Sequence, residues 1–175
     1  MNFISHFISI LLIFLFTACS KEPIKKSIIK EKSLDAQVLE AYKEGKTALE
    51  EGDVLFAAKK FNEAEILFPQ SEWAPKSALM AAYSYYIQDY YSDSIAELER
   101  FIKIYSNHND LDYAYYLLAI CYYEQIVDEK KDLQSIIKSK ETFEILITKY
   151  PNSEYSTDAN FKMDLINDIL ASKDM

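Results

Sequence analysis

The sequence predicts an all-α fold, an α-solenoid of antiparallel helix hairpins with about three repeats plus a terminal helix. Three observations carry this reading. Only two glycines and four prolines occur in 175 residues, against fourteen tyrosines and ten phenylalanines; turn-formers are scarce and large packing groups plentiful, which disfavours a turn-rich sheet fold. From Asp35 onward, apolar residues recur at three- and four-residue spacing, the period of a half-buried helix. Two strings also repeat, PQSEWA at 69–74 and PNSEYS at 151–156, each with a phenylalanine eight residues before it, Phe61 and Phe143. Self-similarity of this kind marks stacked copies of one structural unit. At 50% hydrophobic and 27% charged residues, the composition suits one modest globular domain.

The first segment reads as an address. Residues 1–18 hold no charged side chain, and Phe3 to Ala18 (FISHFISILLIFLFTA) is almost wholly apolar up to Cys19-Ser20-Lys21. This is the pattern of a secretory signal that ends in a lipobox, with the small residues Thr17 and Ala18 beside the cut. Lipidation of Cys19 then anchors the chain, since each buried methylene contributes about 0.8 kcal/mol and stable attachment takes two acyl chains. Ser20, rather than Asp, after Cys19 resembles the signal for sorting to the outer membrane. The alternative is an uncleaved anchor helix, marginal for a hydrocarbon layer of about 30 Å.

Residues 19–34 lack helical apolar spacing and are expected to form a lipidated, flexible tether. Residues 20–34 hold five lysines and two glutamates, a surplus of +3, which leaves −12 of the formal −9 for residues 35–175. An acidic domain repels phosphate backbones, so nucleic acid is excluded as a partner. With Cys19 acylated, Cys121 is the one thiol left and no intramolecular disulfide can form; it sits in the apolar run YLLAICYY and is expected to pack inside.

The repeat domain spans 35–175. Its first unit, 35–69, carries the tetratricopeptide (TPR) pattern of about 34 residues: Ala41, Gly45, Gly52, Ala57, Phe61, Ala64 and Pro69. Gly45 and Ala57 let two helices approach, Phe61 fills the space beneath them, Gly52-Asp53 supplies a turn and an N-cap, and Pro69 stops the second helix. The second unit, 72–106, places Ala78, Ala81, Ala82 and Tyr85 on its first helix and Ser94, Leu98 and Phe101 on its second. The third, 110–151, has Tyr115, Leu118, Ala119 and Tyr122, then Ser139, Phe143 and Pro151, with an insertion around VDEKKDLQ at 127–134. Residues 153–170 begin a further first helix whose apolar stripe of Phe161, Leu165 and Ile169 is expected to lie exposed. Either it caps the stack, or, as we expect, the chain is a fragment of a longer protein.

Specific strings narrow the comparison. LERFIKIYSNHNDLDYAYYLLAICYYEQI at 98–126, the loop ending in KDLQ, and FEILITKYPNSEYSTDA at 143–159 resemble the BamD (ComL) family, TPR lipoproteins of the outer-membrane β-barrel assembly (BAM) machinery. The lipobox and the PQSEW string fit the same family, whose members usually carry about five repeats. The resemblance implies a lipid-anchored protein on the periplasmic face of the outer membrane. Such a protein receives unfolded outer-membrane proteins and works beside a BamA-like barrel subunit and other BAM lipoproteins, with no cofactor.

In TPR arrays, positions 2, 5, 9 and 12 of each first helix face a groove. That register assigns to the groove Leu39, Tyr42, Lys46 and Leu49 from the first unit, Lys76, Leu79, Tyr83 and Tyr86 from the second, and Tyr113, Tyr116, Ile120 and Tyr123 from the third. Rings with polar tips suit the alternating apolar, aromatic-ended termini of barrel precursors, and Lys46 and Lys76 suit a terminal carboxylate. On this reading Tyr83→Ala combined with Tyr116→Ala weakens peptide binding; the competing reading of the same rings is core packing. No catalytic or metal constellation stands out. Gly-rich phosphate loops, HExxH and paired CxxC are absent from the sequence, and His108 stands alone in an inter-repeat turn, where a solvent-facing or capping role is expected. The competing functional class is another periplasmic TPR lipoprotein, a pilotin or a cell-envelope scaffold.

Overall fold

The computed structural model describes residues 32–125 and 133–173. The expected signal at 1–18, Cys19, the tether up to residue 31 and most of the insertion therefore lie outside the described residues. Within them the chain forms seven helices and no strand: α1 (Leu34–Glu50), α2 (Val54–Leu67), α3 (Trp73–Tyr86), α4 (Tyr91–Ile104), α5 (Leu111–Glu124), α6 (Leu133–Lys149) and α7 (Glu154–Lys173). Each helix packs on the next, and α1, α3, α5 and α7 also touch in sequence. This neighbour pattern builds a TPR-like solenoid in which the odd-numbered helices share one side.

Local chemistry sets the ends. Ser33 caps α1 by accepting from the Ala36 amide at 3.3 Å, and Asp53 caps α2 by accepting from the Phe56 amide at 3.1 Å, satisfying donors that a helix leaves orphaned. Between α1 and α2, Gly52 adopts φ 84°, and between α3 and α4 Asp89 adopts φ 61°. Both are left-handed turn positions that close a hairpin; the second hairpin holds that geometry without glycine, and the Asp89 carboxylate accepts from the Tyr91 hydroxyl at 2.6 Å.

The helices of each hairpin meet through small residues. A Cβ on Gly45 would stand 2.9 Å from ring carbons of Phe61, so the ring plugs the space that the missing side chain leaves. In the next two hairpins serines do the joining. The Ser94 hydroxyl donates to the Ala82 carbonyl and the Ser139 hydroxyl to the Ala119 carbonyl, both at 2.9 Å. Cys121 is fully buried and donates to Ser94 Oγ at 3.3 Å, so α5, α4 and α3 are linked through one chain of polar contacts. Phe61, Phe101 and Phe143 are all fully buried, each in its own cluster of the core.

Two expectations need adjustment. Of the stripe on α7, Phe161 is 63% and Leu165 38% exposed, but Ile169 is partly buried against the core cluster that holds Ile166, Phe143 and Ala119; Ala159, Met163, Ile166 and Leu170 of α7 belong to the same packed group. His108 does cap its turn, Nδ1 accepting from the Asp110 amide at 3.2 Å, yet its ring is half-buried, edge-on to Phe101 at 5.7 Å. Among the described residues no helix is long and apolar enough to cross a membrane.

Candidate functional site

The odd-numbered helices present the tyrosines. Tyr42, Lys76, Leu79, Met80, Tyr83, Asp110 and Tyr113, from α1, α3 and the start of α5, surround one cavity of about 550 Å³. Five of the residues that the register assigned to a groove thus converge: Tyr42, Lys76, Leu79, Tyr83 and Tyr113. Tyr42 is fixed edge-on to Phe61 at 5.3 Å and beside Trp73 at 4.9 Å. Lys76 lies over the Trp73 ring at 5.1 Å, a cation–π contact that holds the ammonium at the rim without neutralising it. Leu79 is 6% exposed and forms the apolar floor.

Two groups among the fourteen tyrosines bear on this face. The hydroxyls of Tyr91, Tyr105, Tyr116 and Tyr122 donate to the carboxylates of Asp89, Glu65, Asp158 and Glu99 at 2.6 to 2.7 Å. Those of Tyr42, Tyr83 and Tyr113 make no hydrogen bond among the described residues, so the cavity is lined by rings whose polar tips are unspent. Burial holds the phenols of Tyr42 and Tyr113 above their ordinary range, Tyr113 most strongly; they are protonated donors at neutral pH, as any phenol is. Cys121 is pushed up to about 11 by burial, so its thiol is no nucleophile. The cavity can therefore grip an apolar or aromatic side chain, hydrogen-bond to backbone and meet a carboxylate at Lys76.

The remaining assigned residues sit elsewhere. Tyr116 stacks on Tyr155 of α7 at 5.1 Å and bonds Asp158, and Lys162 lies over the Tyr123 ring at 5.5 Å. Helix α7 thus covers the part of the face that the third unit supplies, and Ile120 is only 5% exposed. Tyr86 packs between Tyr83 and Tyr91. Lys46 is exposed and paired with Glu50 at 4.0 Å, and Leu49 packs beside Ala48 and Phe61. Leu39 lines a separate basin of about 760 Å³ on α1 and α2, crowded with charged side chains such as Lys32, Glu40 and Glu44; Lys32 pairs with Glu40, and Glu44 with Lys60 outside the basin, as on a solvated surface. Sequence reasoning missed Met80 and Asp110 in the cavity and Tyr155, Asp158 and Lys162 beside it. Of the last three, Asp158 aligns with Lys76 when PNSEYS is laid on PQSEWA, so carrying the register one helix further reaches it, whereas Tyr155 and Lys162 fall outside that register.

Helix hairpins joined through small residues, with an aromatic face along their first helices, define a TPR-type helical-repeat protein. Solved structures agree on the fold. The first TPR domain of Spaghetti (RPAP3), bound to an HSP90 peptide, superposes with a TM-score of 0.58 at 15% identity over 78% of this chain and 94% of that one. The C-terminal TPR-containing domain of a Plasmodium falciparum FK506-binding protein gives 0.56 at 15% identity over 81% and 95%. Residues 34–175 match the YfiO family, described as outer membrane lipoprotein, and the chain belongs to that family. It is 40% identical over 134 residues to the outer membrane protein assembly factor BamD of Caulobacter vibrioides, covering 77% of this chain and 44% of the relative. To BamD of Rickettsia prowazekii it is 37% identical over 140 residues, covering 80% and 56%. The chain therefore spans about half the length of these curated relatives.

Proposed function

We propose that this chain serves in the outer-membrane β-barrel protein assembly (BAM) complex as a lipoprotein scaffold that binds unfolded outer-membrane proteins and promotes their insertion. In this reading acylated Cys19 anchors it to the periplasmic face of the outer membrane, beside a BamA-like barrel subunit and other BAM lipoproteins. It acts by holding and not by covalent chemistry. The names of its relatives supply the process; the observation that carries the mechanism is the cavity lined by the rings of Tyr42, Tyr83 and Tyr113, with buried Leu79 as its apolar floor and with Lys76 and Asp110 also in its wall. An extended chain end that carries an aromatic side chain satisfies the rings, the floor and Lys76 at once.

The test is fluorescence anisotropy with a labelled peptide taken from the end of a barrel protein. Tyr83→Ala with Tyr113→Ala is expected to weaken binding at least about tenfold, equivalent to ~1.4 kcal/mol, and amidating the peptide terminus is expected to reproduce the effect of Lys76→Met. Tyr116→Ala is a poorer probe than the register alone suggested, because it breaks the Asp158 bond and the stack on Tyr155. Unchanged affinity in the Tyr83/Tyr113 variant, with helicity retained, would exclude this cavity as the holding site. Incorporation of labelled palmitate that persists in Cys19→Ser would exclude the anchor.

A further inference from the structure

Trp73 opens α3 but forms no part of the wall of the ring-lined cavity. Its indole packs, as Leu67, Phe68 and Tyr42 do, against buried Val38, Ala41 and Ala64 of the first hairpin, which anchors the ring in the core. Two residues of the cavity wall rest on it. The Tyr42 ring lies 4.9 Å away, tilted by 56°, and the Lys76 ammonium lies over the indole, 5.1 Å from its centre. Lys76 follows Trp73 by three residues on the same helix, the spacing that brings two side chains onto one face.

An exposed lysine is ordinarily a poor receptor for a carboxylate. Its long stem samples many rotamers, and ordering that stem on a ligand subtracts from binding. A neighbouring carboxylate would order the stem but offset its charge, whereas an aromatic face orders it and leaves the charge free. Lys76 has the second arrangement: it is exposed, and among the described residues the ion pairs leave it out. Lys46, the other lysine that the register placed on this face, has the first, paired with Glu50. Indole attracts a cation better than any other side-chain ring, so the chemistry of residue 73, and not only its bulk, sets how firmly the ammonium is held.

We propose that Trp73 is a positioning residue for the ring-lined cavity: it holds the Lys76 ammonium ready for a carboxylate and so sets the preference for a free chain end over a capped one. This assignment rests on the reading of the cavity as the holding site for chain ends, and the test separates the two. Fluorescence anisotropy follows the full chain with two labelled hexapeptides, Thr-Val-Thr-Val-Thr-Phe as the free acid and as the amide. The parent is expected to prefer the acid. Trp73→Leu is expected to reduce that preference about threefold, and Trp73→Phe to keep part of it; a purely packing role would weaken both peptides alike and leave their ratio unchanged. Trp73 is also the chain's single tryptophan, so its emission reads the contact without any substitution at 73. The unlabelled acid is expected to change that emission more than the amide does, and Lys76→Met to remove the difference. If neither peptide binds the parent, the cavity is not the holding site; if both bind equally, Lys76 meets no carboxylate; either result overturns the role of Trp73 as well. An acid preference that survives intact in Trp73→Leu with helicity retained, or an emission that answers both peptides equally, would overturn the Trp73 assignment alone.

Discussion

Gly45 and Gly52 are the chain's two glycines, and the structure needs them for different reasons. At Gly45 the obstacle is space. A Cβ would meet the Phe61 ring at 2.9 Å, and that ring is fully buried and held by Tyr42, so it cannot swing aside. Gly45→Ala is therefore expected to lose about 1–3 kcal/mol of stability, the cost of overpacking. At Gly52 nothing lies within 4 Å of the added carbon, but φ is 84°, and a left-handed alanine costs about 1 kcal/mol. Urea unfolding separates the two mechanisms. Gly52→Asn is expected to recover most of the loss at 52, because asparagine tolerates this conformation, whereas no residue larger than glycine is expected to be tolerated at 45. A Gly45→Ala protein as stable as the parent would refute the plug. Ser94 belongs to the same scale: its short side chain permits the approach of α4, and its hydroxyl then holds the Ala82 carbonyl.

At the scale of helices, the joints within hairpins and between them are not alike. On the α2–α4 side the joint is ionic: Glu65 is only 6% exposed, and its carboxylate depends on Arg100 and Tyr105. Arg100→Ala leaves that carboxylate buried without its cation and is expected to cost about 3 kcal/mol, the low end for breaking a buried pair because the Arg100 side chain is itself 37% exposed. Thermal unfolding that shifts by less than a degree would show the pair to be superficial. This joint was not legible in the sequence. Charged residues on helical repeats ordinarily form the solvated face, and nothing in local spacing reveals that residues 65, 100 and 105 converge from two helices. The joints that were legible rest on size instead. Gly45 with Phe61, Ala82 with Ser94 and Ala119 with Ser139 recur in register, because two helices cannot close without small residues at those points. The placement of α7 was only partly legible: its helical period is plain, but which face turns inward depends on Tyr116 and Tyr123, which recruit Tyr155, Asp158 and Lys162.

For the whole molecule, the density of tyrosine that made the sequence look like a binding surface has a second consequence, because most of those rings are also structural. The candidate site was legible to the extent that Tyr42, Tyr83 and Tyr113 converge, and illegible where rings at the same register positions are claimed by the next helix. The buried rings, Tyr113 of the cavity among them, share an electrostatic signature. Burial raises the phenols of Tyr105, Tyr113, Tyr116 and Tyr122 above their ordinary range, with carboxylate partners adding to the shift at Tyr105, Tyr116 and Tyr122. Burial likewise pushes the Cys121 thiol from 9.0 up to about 11. In every case the folded state holds the proton more tightly than the unfolded chain does. The stabilisation is then complete below the unfolded pKa, roughly 9 for the thiol and 10 for the phenols, and is lost as pH rises through the folded values. Each such group contributes a slope of at most about 1.4 kcal/mol per pH unit inside its own window. The molecule is thus expected to keep constant stability towards alkali up to about pH 8.5 and then to unfold cooperatively above about pH 10, followed by circular dichroism. Cys121→Ala is expected to flatten the onset near about pH 9, where the unfolded thiol titrates ahead of the phenols, and to leave the steep phenolic part unchanged. Stability that held level to about pH 11 would mean that the inner tyrosines ionise in place, and that the rings lining this solenoid are far more open to water than their packing implies.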